Sequence, residues 1–255
     1  MNEKFAVITG ASSGLGAEFA RQLSQKGYEL LLVARRQERL AELAGNLDTK
    51  TDIFICDVAK EEDCDALLTY IGDRKVDVFL NNAGFGDCGY FIETDLDKEL
   101  NMIDVNVRAL HYLMKGILKK MEVYNNGYLL NIASSAGILP GGPYMATYYA
   151  TKAYVRSISL AVNQELREAD SKIYVGCLCP GPVDTEFNQN ANVEFKLKGI
   201  SAEFCVRYAL QQMFERKTMI IPSAAIKWVA FFNRICPVSL ALKLTSRQQK
   251  KKIGK

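Results

Sequence analysis

The chain has 255 residues, 49% hydrophobic and 24% charged, which suits one large α/β domain and excludes disordered, collagenous and disulfide-stapled classes. Seven cysteines without a C-x-x-C pair read as buried, reduced thiols, so a cytosolic protein is expected. The net charge is only +3, so no nucleic-acid partner is expected; the start carries no signal-peptide pattern, and no window approaches an unbroken apolar span of about 18 residues.

The first element is a short apolar run over 5–9, a buried strand ending at glycine. Leu15, Phe19 and Leu23 recur at helical spacing and predict a helix over 15–26, stopped by Gly27. "YELLLVA" (28–34) is a second strand, and Leu40, Leu43 and Leu47 share one side of a helix over 37–47. A third strand, "TDIFICD" (51–57), a helix over 61–71 and a fourth strand, "VDVFLNN" (76–82), follow. One long helix is expected over 97–121, with the single histidine, His111, partly buried on it and unable to build a metal site alone. Then come the strand "GYLLNIAS" (127–134), a helix over 147–168 and the strand "KIYVGCLCP" (172–180). A helix over 202–214 and a short strand, "TMIIP" (218–222), complete the series. Near-continuous apolar strands separated by helices indicate a parallel sheet covered on both faces, and right-handed crossovers make it doubly wound. The expected architecture is one α/β domain of Rossmann type over 1–223, a central, mostly parallel sheet flanked by helices. An apolar, basic extension over 224–255 follows.

"TGASSGLG" lies between the first strand and the first helix, with glycines at Gly10, Gly14 and Gly16. A pyrophosphate needs a tight backbone turn, no Cβ in the way, and the N–H groups of a helix start. In dinucleotide folds an acid commonly follows about 20 residues on and binds the ribose 2′-hydroxyl. Here that place reads Val33-Ala34-Arg35-Arg36, with no acid until Glu38. Two arginines at a helix start oppose the positive end of the helix dipole. A 2′-phosphate would remove that conflict and matches guanidinium geometry, so NADP is expected in preference to NAD. The plain alternative is that both arginines are solvated.

These residues, with "CDV" (56–58), "NNAG" (81–84), "DVN" (104–106), "NIASSAG" (131–137), "YYATK" (148–152) and "PGPVDT" (180–185), occur in an order that resembles the short-chain dehydrogenase/reductase family. The resemblance runs from about residue 4 to about residue 185. It implies that Gly10, Ser12, Ser13, Gly14, Leu15 and Gly16 cradle the cofactor phosphates, with Arg35 and Arg36 at the adenosine 2′-phosphate. It implies adenine contact from Asp57 and Val58, closure over the adenosine side by Asn81, Asn82, Ala83 and Gly84, and contact at the nicotinamide by Pro180, Gly181, Val183 and Thr185. A homo-oligomer, dimer or tetramer, is expected by analogy only.

Hydride exchange at a carbonyl needs a proton delivered to its oxygen. A tyrosine ordinarily titrates near pH 10, and a neighbouring ammonium would lower that value. Tyr148 and Lys152 stand i, i+4 on one helix face, and Tyr149 stands i, i+3, so spacing alone leaves both tyrosines open. The family's Y-x-x-x-K pattern selects Tyr148 and implies that Tyr148 and Lys152 also meet the nicotinamide ribose. For the hydroxyl that polarises the substrate, twelve intervening residues would choose Ser135, whereas the register of "NIAS" chooses Ser134; strand ends hold register better than loops hold length, and Ser134 is preferred. Asparagine is a poor helix-interior residue, and the resemblance implies that Asn106 distorts the long helix locally and holds a water that links Lys152 to solvent.

The segment over 186–201 is expected to fold over a hydrophobic substrate, an acyl thioester or a steroid-like ketone, with Phe187 beside it. From Arg216 onward there are ten Lys/Arg and no Asp/Glu, against 22 basic and 29 acidic groups before it. With Trp228, Phe231, Phe232 and Ile235 interspersed, the extension suits an anionic membrane surface or an acidic carrier. A helix packed on the domain with a solvated tail is the competing reading. A non-catalytic NADP-binding sensor is the alternative function, against which the full Ser-Tyr-Lys-Asn set argues.

Overall fold

The computed structural model describes residues 4–186 and 199–250. Its strands are β1 (Lys4–Thr9), β2 (Tyr28–Ala34), β3 (Thr51–Ile55), β4 (Val78–Asn81), β5 (Gly127–Ile132), β6 (Ile173–Leu178), β7 (Val183–Asp184), β8 (Ile200–Ser201) and β9 (Met219–Ile220). Its α-helices are α1 (Gly14–Gln25), α2 (Gln37–Ala44), α3 (Glu61–Ile71), α4 (Leu96–Ile103), α5 (Leu110–Glu122), α6 (Ala146–Glu168), α7 (Ala202–Phe214), α8 (Ala224–Asn233) and α9 (Val238–Lys250).

Seven strands form one sheet in the order β3-β2-β1-β4-β5-β6-β9, every neighbouring pair parallel. Alternation along each strand divides the core. Ala6, Ile8, Leu30, Leu32 and Leu80 face Phe19 and Leu23 of α1, Leu40 of α2 and Leu210 of α7. Phe5, Val7, Leu31, Val33 and Phe79 face Leu67 of α3, Leu113 and Ile117 of α5, and the partly buried Ile158 of α6. Each leucine, isoleucine, valine or phenylalanine among them, taken fully out of water, contributes about 1.5–3 kcal/mol. Cys177 and Cys179 are fully buried with their sulfurs 3.9 Å apart, and all seven cysteines are free thiols.

Three local features refine or correct the sequence expectation. The helix expected over 97–121 is interrupted by a π-helical turn, Asp104–Ala109, which contains Asn106. His111 is exposed rather than partly buried, and its Nδ1 lies 2.6 Å from the Tyr154 hydroxyl. The C-terminal extension is two helices, not one, because Pro237 has no N–H to continue α8; its carbonyl instead accepts from the N–H groups of Leu240 and Ala241 and opens α9. Phe187, most of the expected 186–201 segment, and Lys251, Lys252 and Lys255 lie outside the described residues. No helix among the described residues is long and apolar enough to cross a membrane.

Strand order reverses between β1 and β4. In an open parallel sheet that reversal leaves a crevice beyond the carboxyl ends of the strands, where ligands bind.

Candidate active site

The crevice begins at the turn after β1. Gly14 has φ +55, a left-handed conformation natural to glycine, and a Cβ there would stand 3.4 Å from the Thr185 side chain. The turn is pinned from β4: Asn82 Nδ2 donates to the carbonyls of Thr9 (2.9 Å) and Gly10 (3.1 Å). The Thr9 hydroxyl accepts from the N–H groups of Asn82 (2.9 Å) and Ala83 (3.1 Å). "TGASSGLG" and "NNAG" are thus one assembly, and Gly181 and Thr185 close it from the far side of the reversal, Gly181 against Ile226.

Arg36 crosses from the start of α2 to this turn. It donates to Ser12 Oγ (3.0 Å) and Ser13 Oγ (2.8 Å) and lies 3.5 Å from Glu186. Arg39, one helical turn on, donates to both Glu186 oxygens at 2.7 Å. Hydrogen bonding from Arg39 holds the Glu186 carboxyl below its ordinary range. Arg35 is exposed and makes no such contact with the turn. Arg39 and Glu186 were not singled out from the sequence, although the pattern R-R-x-x-R puts Arg36 and Arg39 on one side of α2. Asp57 is engaged locally, its Oδ1 accepting from the Ala59 N–H (3.2 Å), while Val58 is buried. An unblocked glycine turn, two serine hydroxyls and adjacent guanidiniums are a donor set that fits a phosphorylated dinucleotide.

The proton-transfer groups stand at the end of β5. Ser134 Oγ accepts from the Ala136 N–H at 3.1 Å, which leaves its own proton free to donate to Tyr148. Ser135 instead opens a 3-10 turn and donates its backbone N–H to the Pro180 carbonyl. Tyr148 and Lys152 are both buried on α6. Lys152 Nζ donates to the Ile132 carbonyl at 2.8 Å and lies 5.9 Å from the Tyr148 ring. The sequence led us to expect Tyr148 to be lowered by the lysine. In the structure burial dominates: it pushes Tyr148 up to about 12, against the hydrogen bond from Ser134, and pulls Lys152 down to about 8.

Asn106 is fully buried and all of its amide is engaged. Its Oδ1 accepts from the Phe85 N–H (3.1 Å), and its Nδ2 donates to the Phe85 carbonyl (2.8 Å) and to Thr151 Oγ1 (3.1 Å). Thr151 in turn donates to the Tyr148 carbonyl (2.8 Å). Asn106 therefore ties the loop after β4 to the catalytic turn of α6. Gly84 sits between Asn106 and Lys152: a Cβ there would lie 2.9 Å from Asn106 Oδ1 and 3.2 Å from Lys152 Nζ.

Tyr149 packs away from Ser134 and receives a 2.6 Å hydrogen bond from Gln249 Nε2 of α9. The small cleft beside Tyr148 is lined by Phe91, Met102, Tyr144 and Met145 together with the polar Asp87, Thr94, Glu99 and Thr147. Gln249 had no sequence signal, because nothing local marks a glutamine that pairs 100 residues away.

A glycine-turned crevice at a strand-order reversal, beside a hydrogen-bonded serine–tyrosine pair and a buried lysine, defines a nicotinamide-dependent oxidoreductase of carbonyl and alcohol groups. Residues 4–195 match the short chain dehydrogenase family, and the chain belongs to it. It is 32% identical over 216 residues to an oxidoreductase of Staphylococcus epidermidis, covering 83% of this chain and 93% of that one. It is 34% identical to a very-long-chain 3-oxoacyl-CoA reductase of Neurospora crassa, over 67% of this chain and 54% of that protein. The fold superposes with TM-score 0.81 and 29% identity on a short-chain dehydrogenase from Sphingobium yanoikuyae in complex with NADPH, covering 91% of this chain and 93% of that one.

Proposed function

We propose that this chain is an NADP(H)-dependent oxidoreductase that interconverts a ketone and a secondary alcohol on a hydrophobic substrate, with a 3-oxoacyl thioester first and a bulky steroid-like ketone second. The observation that carries this reading is the hydrogen-bonded Ser134–Tyr148 pair beside buried Lys152. The nicotinamide, when bound, supplies or accepts the hydride. Tyr148 keeps its proton through neutral pH, and so has one to give to the substrate oxygen. Ser134 donates to Tyr148 and opposes the rise in the tyrosine pKa, and that same proton would turn to the substrate oxygen when a carbonyl enters. Lys152, an ammonium at neutral pH that donates to the Ile132 carbonyl, is placed to offset the tyrosinate charge that proton donation creates.

Preference for NADP is supported by Arg36 on the serines of the glycine turn, by Arg39 one helical turn on at Glu186, and by the NADPH complex of the Sphingobium relative. The hydrophobic substrate is supported by the aromatic and thioether cleft wall and by the 3-oxoacyl-CoA reductases among the relatives. The test is a panel of 3-oxoacyl thioesters and cyclic ketones followed by loss of reduced-nicotinamide absorbance. Turnover should fall by roughly 10²–10⁴-fold in Tyr148→Phe with cofactor affinity kept, and by no more than a few-fold in Tyr149→Phe. Tight NADPH binding with no turnover on the whole panel would replace the enzyme with a sensor.

A further inference from the structure

The helix pair α8–α9 presents an apolar surface that the fold leaves uncovered. No residue of α8 is buried. Trp228, Phe231 and Phe232 recur at i, i+3 and i+4 on its outer side, with ring centroids 5.8–6.3 Å apart. Trp228 is 63% exposed and Ile235 73%, and Val238, Leu240 and Leu244 continue the exposure onto α9. The inner side is anchored. Asn233 Nδ2 donates to the Ile138 carbonyl (3.1 Å), Leu242 packs on Gly141, and Ala241, Thr245 and Gln249 are buried. The pair is thus fixed on the loops that lead from β5 to Tyr148, with its aromatic side turned to solvent.

Charge identifies what this side meets. The chain has no acidic residue after Glu215, and Arg234, Lys243 and Arg247 are exposed on the same helix pair as the aromatics. Among the described residues none of the basic side chains past Glu215 is in an ion pair. An acidic protein would explain the charge but not a stacked aromatic cluster turned outward. Rings at headgroup depth with a surrounding set of cations match an anionic lipid surface.

We propose that α8–α9 is a docking surface for anionic lipid bilayers and holds the enzyme at a membrane surface without crossing it. It reaches the cleft directly: Gln249 bonds Tyr149, and Lys250 lies over the ring of Tyr144, a residue of the cleft wall. A docked molecule would face lipid-soluble substrates with the rim of its own site. The docking itself holds whatever carbonyl compound is reduced.

Trp228 is the sole tryptophan of the chain, so its fluorescence reports this surface alone. The full chain is mixed with vesicles of phosphatidylcholine, or of phosphatidylcholine with phosphatidylglycerol, at low and high salt. On the anionic vesicles the emission should move to the blue, and co-sedimentation should rise at least about tenfold over neutral vesicles and fall with salt. Neutralising Arg234, Lys243 and Arg247 with glutamine should lower the partition roughly fivefold per charge. Phe231→Ser with Phe232→Ser should abolish uptake while leaving thermal unfolding and cofactor binding unchanged. Three outcomes would overturn the proposal: no uptake and no emission shift; uptake unaltered in the double serine variant; or emission already blue without lipid and reddening on dilution, which would place a second copy of the chain on this face.

Discussion

At the scale of single residues, the tension at this site lies between Tyr148 and Lys152. Each is buried in its neutral-favouring surroundings, and the two shifts run in opposite directions, up to about 12 and down to about 8. Burial of Lys152 has a stability signature whose sign can be worked out. Below about pH 8 the lysine is charged in both the folded and unfolded states, so folding carries the full cost of burying it. Between about 8 and its ordinary 10.5 the folded protein has released the proton and the unfolded chain has not, so stability rises with pH across that window. The change is on the order of 3 kcal/mol. Lys152→Met removes this term. The melting temperature of the starting protein should therefore gain on that of the variant as pH rises from about 8 to about 10.5; a difference constant with pH would contradict the burial argument.

At the scale of elements, the π turn inside the α4–α5 helix makes the site's geometry possible. A π turn widens the helix by one residue and frees backbone groups, a recurrent device at functional positions. Here it lets Asn106 point inward to Phe85 and Thr151 instead of lying on an exposed helix surface. Asn106→Ala would leave the half-buried Phe85 N–H and carbonyl and the buried Thr151 hydroxyl without this partner, a loss of about 2 kcal/mol. Thermal unfolding of that variant should show it, and a melting temperature within a degree of the starting protein would refute the tie. The strands and most helices were legible in the sequence, because apolar runs and i, i+3, i+4 spacings report burial directly. The π turn showed only as an asparagine among apolar neighbours. The break at Pro237 was available in the sequence but masked by the apolar run around it. The direction of the tyrosine shift was not legible at all, since motif spacing reports neighbours along a helix, whereas desolvation depends on everything packed over it. Arg39, Glu186 and Gln249 are likewise set by contacts between segments distant in sequence.

At the scale of the whole molecule, two ends of one crevice are built from separate parts of the chain. The phosphate end combines β1, β4 and α2, and the proton-transfer end combines β5, α6 and the C-terminal helices. A ligand that bridges them stabilises the fold by its own occupancy, about 2.7 kcal/mol at a hundred times its Kd. NADPH should raise the melting temperature at lower concentration than NADH does, and Arg36→Ala should remove that advantage while sparing the NADH effect. Equal shifts from both cofactors in the starting protein would end the case for the 2′-phosphate.

The bond between Gln249 and Tyr149 joins residues 100 positions apart. On a ribosome adding about 5–20 residues per second, Gln249 is made roughly 5–20 s after Tyr149. For that interval the nascent chain holds Ser134, Tyr148 and Lys152 without the helix that packs over their neighbour. The sheet can be assembled as far as β6 while α9 is still unmade. The contact that α9 makes with the catalytic helix is therefore added only at the end of translation.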